Sequence, residues 1–322
     1  MNHLTNTNAS IRFSDDAQTR LIGLDLGGTK LHAAATGLDG RIAAEKMLAT
    51  DTSSAAALFH QLRDTIVELQ HGAQSSVVVL GVPGAVSPRT GQIDLAPNIP
   101  LLPGCDLQAE LSAAVSACVL IENDVNLAAF GEARHNAAAS GALMCLVSFG
   151  TGIGLGIVAN GGILRGATGR AGEISYLPVG KPPEGCQLTD AGQYEDLAGS
   201  RALVDLYASV AGPADGREIF DRASQGDAQA VTAIETISRR AALGIAALQS
   251  ILDPDHILIG GSIGARAEFF APLSRHTNAL LPISASMSQA RLGASAGLVG
   301  ALTFAAEASA RRTPKMVFGS DT

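Results

Sequence analysis

The chain has 322 residues, 47% of them hydrophobic and 16% charged, with a net charge of −8. That length allows about two domains of roughly 150 residues, and so much apolar material excludes a disordered chain. The acidic balance, with no basic run beyond the short "ARRTPK" near the C-terminus, offers no face for nucleic acid.

The first seventeen residues carry no apolar stretch of the kind a secretory signal needs. No uninterrupted apolar run reaches the roughly 18 residues of a membrane span. A soluble, cytoplasmic protein that binds neither membrane nor nucleic acid is expected. Order is predicted from Arg20, where "RLIGLDL" reads as a strand, Gly27–Lys30 as a tight turn and "LHAAAT" as a second strand. "LDG" at 38–40 carries the Asp-Gly signal of a further hairpin. Leu58, Leu62, Ile66 and Leu69 then fall on one face of a helix. "SVVVLGVPG" is a buried strand ending in a Gly/Pro loop, "GQIDLAPNIP" is extended, "LQAELSAAV" is helical, and "CVLIEND" is a strand running into the helix "NDVNLAAFGEARH".

The pattern then restarts. "ALMCLVSF" is a strand, "GTG" a turn, and "LGIVANGGI" a strand with its own hairpin at Asn160-Gly161-Gly162. Strand, Gly/Thr turn, strand thus occurs twice, which reads as two halves on one plan. Helices dominate from Tyr194; one of them ends at Asp253-Pro254. "HILIGGSIG" is a strand entering a glycine turn, and "ASAGLVGALTFAAEA" is a closing helix. Of the four cysteines, Cys105, Cys118, Cys145 and Cys186, no two form a CxxC pair. Cys118 and Cys145 read as small core residues, and no disulfide framework is expected.

A dinucleotide fingerprint needs a helix directly after its glycines. Here β-branched residues and another turn follow, so that reading is rejected. A Walker loop needs a GK[ST] sequence before a helix; Lys30 follows Thr29, in the wrong order. What remains is a pair of hairpins whose turns offer backbone N–H groups and a hydroxyl to phosphate. One such hairpin alone is more often only a hairpin. Two of them, with a third glycine turn at Gly260-Gly261, point to a nucleotide held between two lobes.

Taken together, "IGLDLGGTK", "GVPGAVSPRTGQIDLAPNIP", "IENDVNLAAFGE", "FGTGIGLGIVANGGILRGATGRAGEI" and "DPDHILIGG" resemble, in order, the motifs of the ROK group of repressors and sugar kinases. The resemblance implies an α/β, two-lobed actin/hexokinase-like (ribonuclease H-like) fold with an interdomain cleft. The expected lobes are 18–121, joined by the C-terminal helix at about 302–315, and a larger one at 122–301. Flexible tails are expected at 1–17 and 316–322. It further implies an ATP- and Mg²⁺-dependent sugar kinase, and a homodimer. By resemblance Asp124 is the general base, although Asn123 or Asp124 could equally cap the following helix. Asp25, Gly27, Gly28, Thr29 and Lys30 form the first phosphate turn, with Asp25 approaching Mg²⁺ through water. Gly150, Thr151 and Gly152 form the second, and Gly260 and Gly261 flank adenine. Gly84, Ala85, Asn98, Asn123, Asp124, Glu173, Tyr176 and Glu195 face the sugar, with a solvated helix position as the bland alternative for Glu195.

Many members of that group follow the sugar-binding Glu with a zinc-binding His and a cysteine cluster. Here Tyr176 stands at the His position and Cys186 is the one thiol nearby. No zinc site is expected, and the substrate is expected to be a hexose, a modified hexose or an N-acyl amino sugar. The attacked group is expected to be the 6-hydroxyl. A non-catalytic sugar sensor is the alternative. The roughly twenty residues before the first motif are too few for a helix-turn-helix. A kinase of short acids would need a cation for its substrate, and Arg89 and Arg170 are the nearest ones.

Overall fold

The computed structural model describes residues 19–73, 75–96, 99, 106–136, 141, 143–179 and 189–312. They fall into two compact units. One comprises the described residues within 1–84, 91–122 and 301–322, the other those within 85–90 and 123–300.

The first unit is built on a sheet of β1 (Thr19–Leu26), β2 (Lys30–Thr36), β3 (Ile42–Ala49), β4 (Ser75–Val82) and β7 (Cys118–Asn123), in the order β3-β2-β1-β4-β7. β1 pairs antiparallel with β2 and parallel with β4. Leu21, Ile22, Leu24 and Leu26 of β1 are all buried, as a central strand covered on both faces requires. Gly40 takes a φ of +74° in the β2–β3 hairpin. α1 (Ala55–Gln70) buries Leu58, Leu62, Ile66 and Leu69, the predicted stripe, and starts where the Ser54 hydroxyl accepts from the Ala57 N–H. The short strand β6 (Ile93–Asp94) and helix α2 (Leu107–Val115) also belong to this unit, while the short strand β5 (Ala85–Val86) falls in the other.

The second unit repeats the plan. Its sheet consists of β8 (Leu143–Phe149), β9 (Ile153–Ala159), β10 (Gly162–Ile163), β11 (His256–Gly260) and β12 (Met287–Gln289), in the order β10-β9-β8-β11-β12. Again a three-stranded meander leads, and the later strands join parallel to its first strand. Asn160 (φ 50°) and Gly161 (φ 76°) make the β9–β10 turn, both at positive φ as a primed hairpin turn demands. Helices α3 (Asp124–His135), α4 (Gln193–Ala198), α5 (Ser200–Ala211), α6 (Gly216–Ser224), α7 (Ala228–Leu252), α8 (Gly261–Gly264) and α9 (Ala267–Leu280) surround it, and α10 (Ala296–Arg312) closes the chain.

α7 carries the core of this unit. Asp227 caps its start by accepting from the Gln229 and Ala230 N–H groups, and it stops at Asp253 (φ 45°) ahead of Pro254. Tyr194 lies fully buried against it, with its hydroxyl donating to the Ala241 carbonyl at 2.6 Å. Gly244 is what admits that ring, since a Cβ there would sit 2.3 Å from Tyr194 Cζ. Tyr194 also meets Phe149 edge to face at 6.4 Å, and Phe149 meets Phe269 at 5.1 Å.

Candidate functional site

In the first unit, Asp25 sits one residue from the end of β1, half-buried, directly opposite His32 of β2. Burial raises its carboxyl above the usual range, and the field of His32 lowers it in part. His32 in turn meets Glu45 of β3, Nε2 to Oε1 at 2.7 Å. The turn that follows is closed by the Gly27 N–H donating to the Lys30 carbonyl at 2.8 Å. Thr50 pins it from the end of β3. Its hydroxyl donates to the Gly27 carbonyl at 2.6 Å and its N–H to the Thr29 carbonyl at 3.1 Å. That leaves Thr29 and Lys30 exposed and Gly28 half-buried. Thr50 went unnoticed in the sequence, because nothing local to it signals a partner twenty-three residues back. Gly84 has a φ of +113°, and a Cβ there would fall 2.5 Å from the Asp94 carbonyl oxygen, so the position demands glycine. Asn98 lies outside the described residues.

In the second unit, three consecutive residues of β9 assemble the remaining candidates. Gly154 seats α3, since a Cβ there would lie 2.8 Å from Val125 Cγ2. Gly156 does the same one pleat on, where a Cβ would lie 2.5 Å from both the Val125 carbonyl oxygen and Ala129 Cβ. Val125 follows Asp124, so this close seat fixes the residue expected to act as base. At Leu155 the carbonyl oxygen would be 2.0 Å from a Cβ on Gly172, whose φ is +98°. Gly172 precedes Glu173. At Ile153 the N–H donates to Glu195 Oε2 at 2.7 Å. The glycines after the GTG turn therefore hold protein rather than phosphate. They give β9 one bare face on which a helix can lie.

Asn123, not Asp124, is the cap of α3. Its Oδ1 accepts from the Asn126 N–H at 2.9 Å. Asp124 is the first helical residue, half-buried, and its Oδ1 accepts from the Val125 N–H at 2.8 Å and the Asn123 amide at 3.2 Å. The carboxylate therefore stands at a helix N-terminus.

The second turn runs Gly150-Thr151-Gly152, with Thr151 exposed and the Gly150 N–H donating to the Gly152 carbonyl at 3.0 Å. The β11–α8 turn abuts it. Gly261 has a φ of +81°, and a Cβ there would lie 2.2 Å from the Phe149 carbonyl oxygen. Gly260 is bounded by Leu146 and Ala290. Two of the glycine turns singled out in the sequence are thus neighbours.

Glu173 is half-buried, and burial raises its carboxyl while Arg170 lowers it. Both edge a cavity of about 250 Å³ whose other walls include Leu155, Ile174, Leu177 and Leu248. Glu195 is likewise raised by burial, offset by its Ile153 hydrogen bond and increased by neighbouring Asp196. It is half-buried and bonded to β9, so the bland reading of a solvated helix residue is corrected. Tyr176 is 44% exposed and its hydroxyl donates to the Asp190 carbonyl at 3.1 Å. Further polar ties gather at the entry to α4. Gln193 donates to the Val179 carbonyl at 3.1 Å, and the Thr189 hydroxyl donates to Asp196 at 2.8 Å. Cys105 and Cys186 lie outside the described residues. Among the described residues, no cluster of three or more His, Cys, Asp or Glu side chains is placed to hold a metal ion. No described helix is long and apolar enough to cross a membrane.

A carboxylate missed in the sequence is Glu132, fully buried on α3. Its Oε1 accepts from the Arg291 N–H at 2.8 Å and the Leu292 N–H at 2.6 Å. Ala290, next in line, donates to the Ile259 carbonyl at 2.9 Å. Glu132 thus links the helix bearing Asp124 to the segment beside Gly260. An isolated Glu in a helix gives no sign of such a role.

The family model described as ROK family matches residues 21–308. The chain belongs to the ROK family. A glucokinase of Halalkalibacterium halodurans is 30% identical over 308 residues, covering 87% of this chain and 92% of that one. A ROK family glucokinase from Streptomyces griseus, solved in complex with glucose and AMPPNP, is 28% identical with a TM-score of 0.76, covering 89% of this chain and 99% of that one. An N-acetylmannosamine kinase candidate from Listeria monocytogenes is 27% identical with a TM-score of 0.78, covering 90% and 99% respectively. The fold is accordingly the actin/hexokinase-like fold of ROK hexokinases. Both five-stranded sheets share one strand order.

Proposed function

We propose that this ROK protein transfers the γ-phosphoryl group of ATP to a hexose or hexose derivative, at the 6-hydroxyl, with Asp124 as general base. The observation that carries the reading is the gathering along β9. Ile153, Gly154 and Leu155 hold, in turn, Glu195, the Asp124 end of α3 and the Glu173 loop. Three carboxylates beside a glycine–threonine turn suit a hydroxyl-rich substrate and a phosphate donor. The sugar kinase relatives support the same chemistry.

Phosphoryl transfer asks a protein chiefly for positioning and charge neutralisation. Glu173, Glu195 and Asn123 accept and donate hydrogen bonds to sugar hydroxyls, which rejects ligands that leave these half-buried groups unpaired. Asp124 takes the proton of the attacking hydroxyl as its oxygen bonds to the γ-phosphorus, and ADP departs with the β–γ bridging oxygen. Thr29 and Thr151, with the N–H groups of their turns, donate to phosphate oxygens. Mg²⁺, when bound, neutralises the charge of the phosphates. Asp25 fits it, being a half-buried carboxylate whose ionised form burial disfavours until a cation approaches, and it would hold the ion through water.

The test is ADP release with Mg-ATP across hexoses, N-acyl amino sugars and short acids, with Asp124→Asn beside the wild type. Sugar-dependent turnover that the variant loses supports the kinase. Sugars that raise the melting temperature without any turnover would make the protein a sensor instead. Turnover with short acids alone would reassign the substrate class.

A further inference from the structure

The second phosphate turn is held from one side by a single short segment. Glu195 Oε2 accepts the Ile153 N–H at 2.7 Å, immediately after Gly152. Five residues on, the Ser200 hydroxyl donates to the Thr151 carbonyl at 3.2 Å. The segment between them is itself anchored. Tyr194 is fully buried and bonded to α7 through the Ala241 carbonyl. Gly199 closes over the Glu195 stem, where a Cβ would meet Glu195 Cγ at 3.2 Å. The turn has been trimmed to receive the carboxylate. A Cβ on Gly152 would stand 2.7 Å from Glu195 Oε2. Only one oxygen of this carboxylate is committed among the described residues. Oε2 serves the turn, and Oε1 remains for a ligand.

We infer that Glu195 is a positioning residue for the nucleotide's phosphates: it fixes the Gly150-Thr151-Gly152 turn through Ile153, and so couples the sugar site to the phosphate site through one carboxylate. The inference rests on the kinase reading above, in which Glu195 also faces the sugar. Its physical content is that the turn's N–H groups bind phosphate only in the geometry they already have. A turn released from Glu195 must be ordered at the expense of nucleotide affinity. That cost falls on the nucleotide even when no sugar is present, which a mere sugar ligand would not produce.

The experiment measures AMPPNP affinity by calorimetry without sugar, and the KM for the sugar identified above, in wild type and three variants. Glu195→Ala removes the acceptor. Gly152→Ala keeps Glu195 but displaces its Oε2; Gly152 is not at positive φ, so its backbone admits alanine. Glu195→Gln keeps an oxygen that can accept from Ile153. Loss of one charge-assisted hydrogen bond predicts AMPPNP binding weaker by about tenfold in Glu195→Ala and Gly152→Ala. Glu195→Gln is expected to stay within about threefold of wild type for AMPPNP while its sugar KM rises. Unchanged sugar-free AMPPNP affinity in both alanine variants would overturn the inference and leave Glu195 a sugar ligand only. Should Glu195→Ala fail to fold, Gly152→Ala and Glu195→Gln decide the matter alone. A wild type that turns over sugar but shows the tenfold loss in neither variant sinks this inference and spares the kinase. A wild type that binds no nucleotide sinks both.

Discussion

Asn123 and Asp124 are adjacent, and the geometry separates their work. The amide caps α3, and the carboxylate is the first residue of the helix. Asn123→Ala is therefore expected to cost about 1 kcal/mol of stability in a denaturant melt. Asp124→Asn should leave the melt nearly unchanged and lower kcat by about a hundredfold or more. Glu132 is the opposite case, a carboxylate with a structural duty. Glu132→Ala removes the acceptor of two part-buried N–H groups, those of Arg291 and Leu292, and should cost roughly 1–3 kcal/mol. Glu132→Gln, which retains an acceptor, should recover most of it. Burial raises the carboxyls of Glu173 and Glu195, and this gives a pH dependence with a definite sign. As pH falls through their raised values they take up protons and lose acceptors for the sugar. The acid limb of kcat/KM should then lie above the ordinary carboxylate range, and become shallower in Glu173→Gln, where Glu195 alone of the two still titrates. The linked stability runs the other way. The fold favours the protonated forms, so this contribution is present at low pH and is lost as pH rises through the folded values.

Among elements, β9 does the most to place the chemistry. Its glycines at 154 and 156 are a missing pair of side chains into which α3 settles. Gly156→Ala should therefore push on the Val125 carbonyl and Ala129, costing about 1–3 kcal/mol as other overpacked sites do. Because α3 carries Asp124 at its start, kcat should fall with it while the KM for ATP holds, which steady-state kinetics would show. The GxGxG run was legible as a glycine hairpin. What the glycines face was not, because the α3 residues they receive lie about thirty positions earlier in the chain. α1 shows the other outcome. Its buried stripe Leu58, Leu62, Ile66 and Leu69 follows from local spacing alone.

Across the whole molecule, two sheets of the same strand order come from stretches with little visible similarity beyond a glycine turn. A nucleotide that binds the folded state alone should raise its stability by about 2.7 kcal/mol at a hundredfold excess over Kd. A thermal melt with AMPPNP and Mg²⁺ measures this. If Asp25 holds the ion, EDTA should remove the shift and stop turnover, and a zinc-selective chelator should do neither. A collapse of the melting transition with the zinc chelator would instead reveal a structural metal.

The residue order alone determined most of the strands, though not β12, together with the repeated strand–turn–strand plan and the family, since hydrophobic period, turn residues and motif order are local or additive. The tertiary structure decided which glycines bind backbone rather than ligand, which of two neighbouring side chains caps α3, and that Glu195 is half-buried and bonded to β9 rather than solvated. Each of those depends on what a distant segment brings within about 3 Å, and no spacing along the chain encodes that distance.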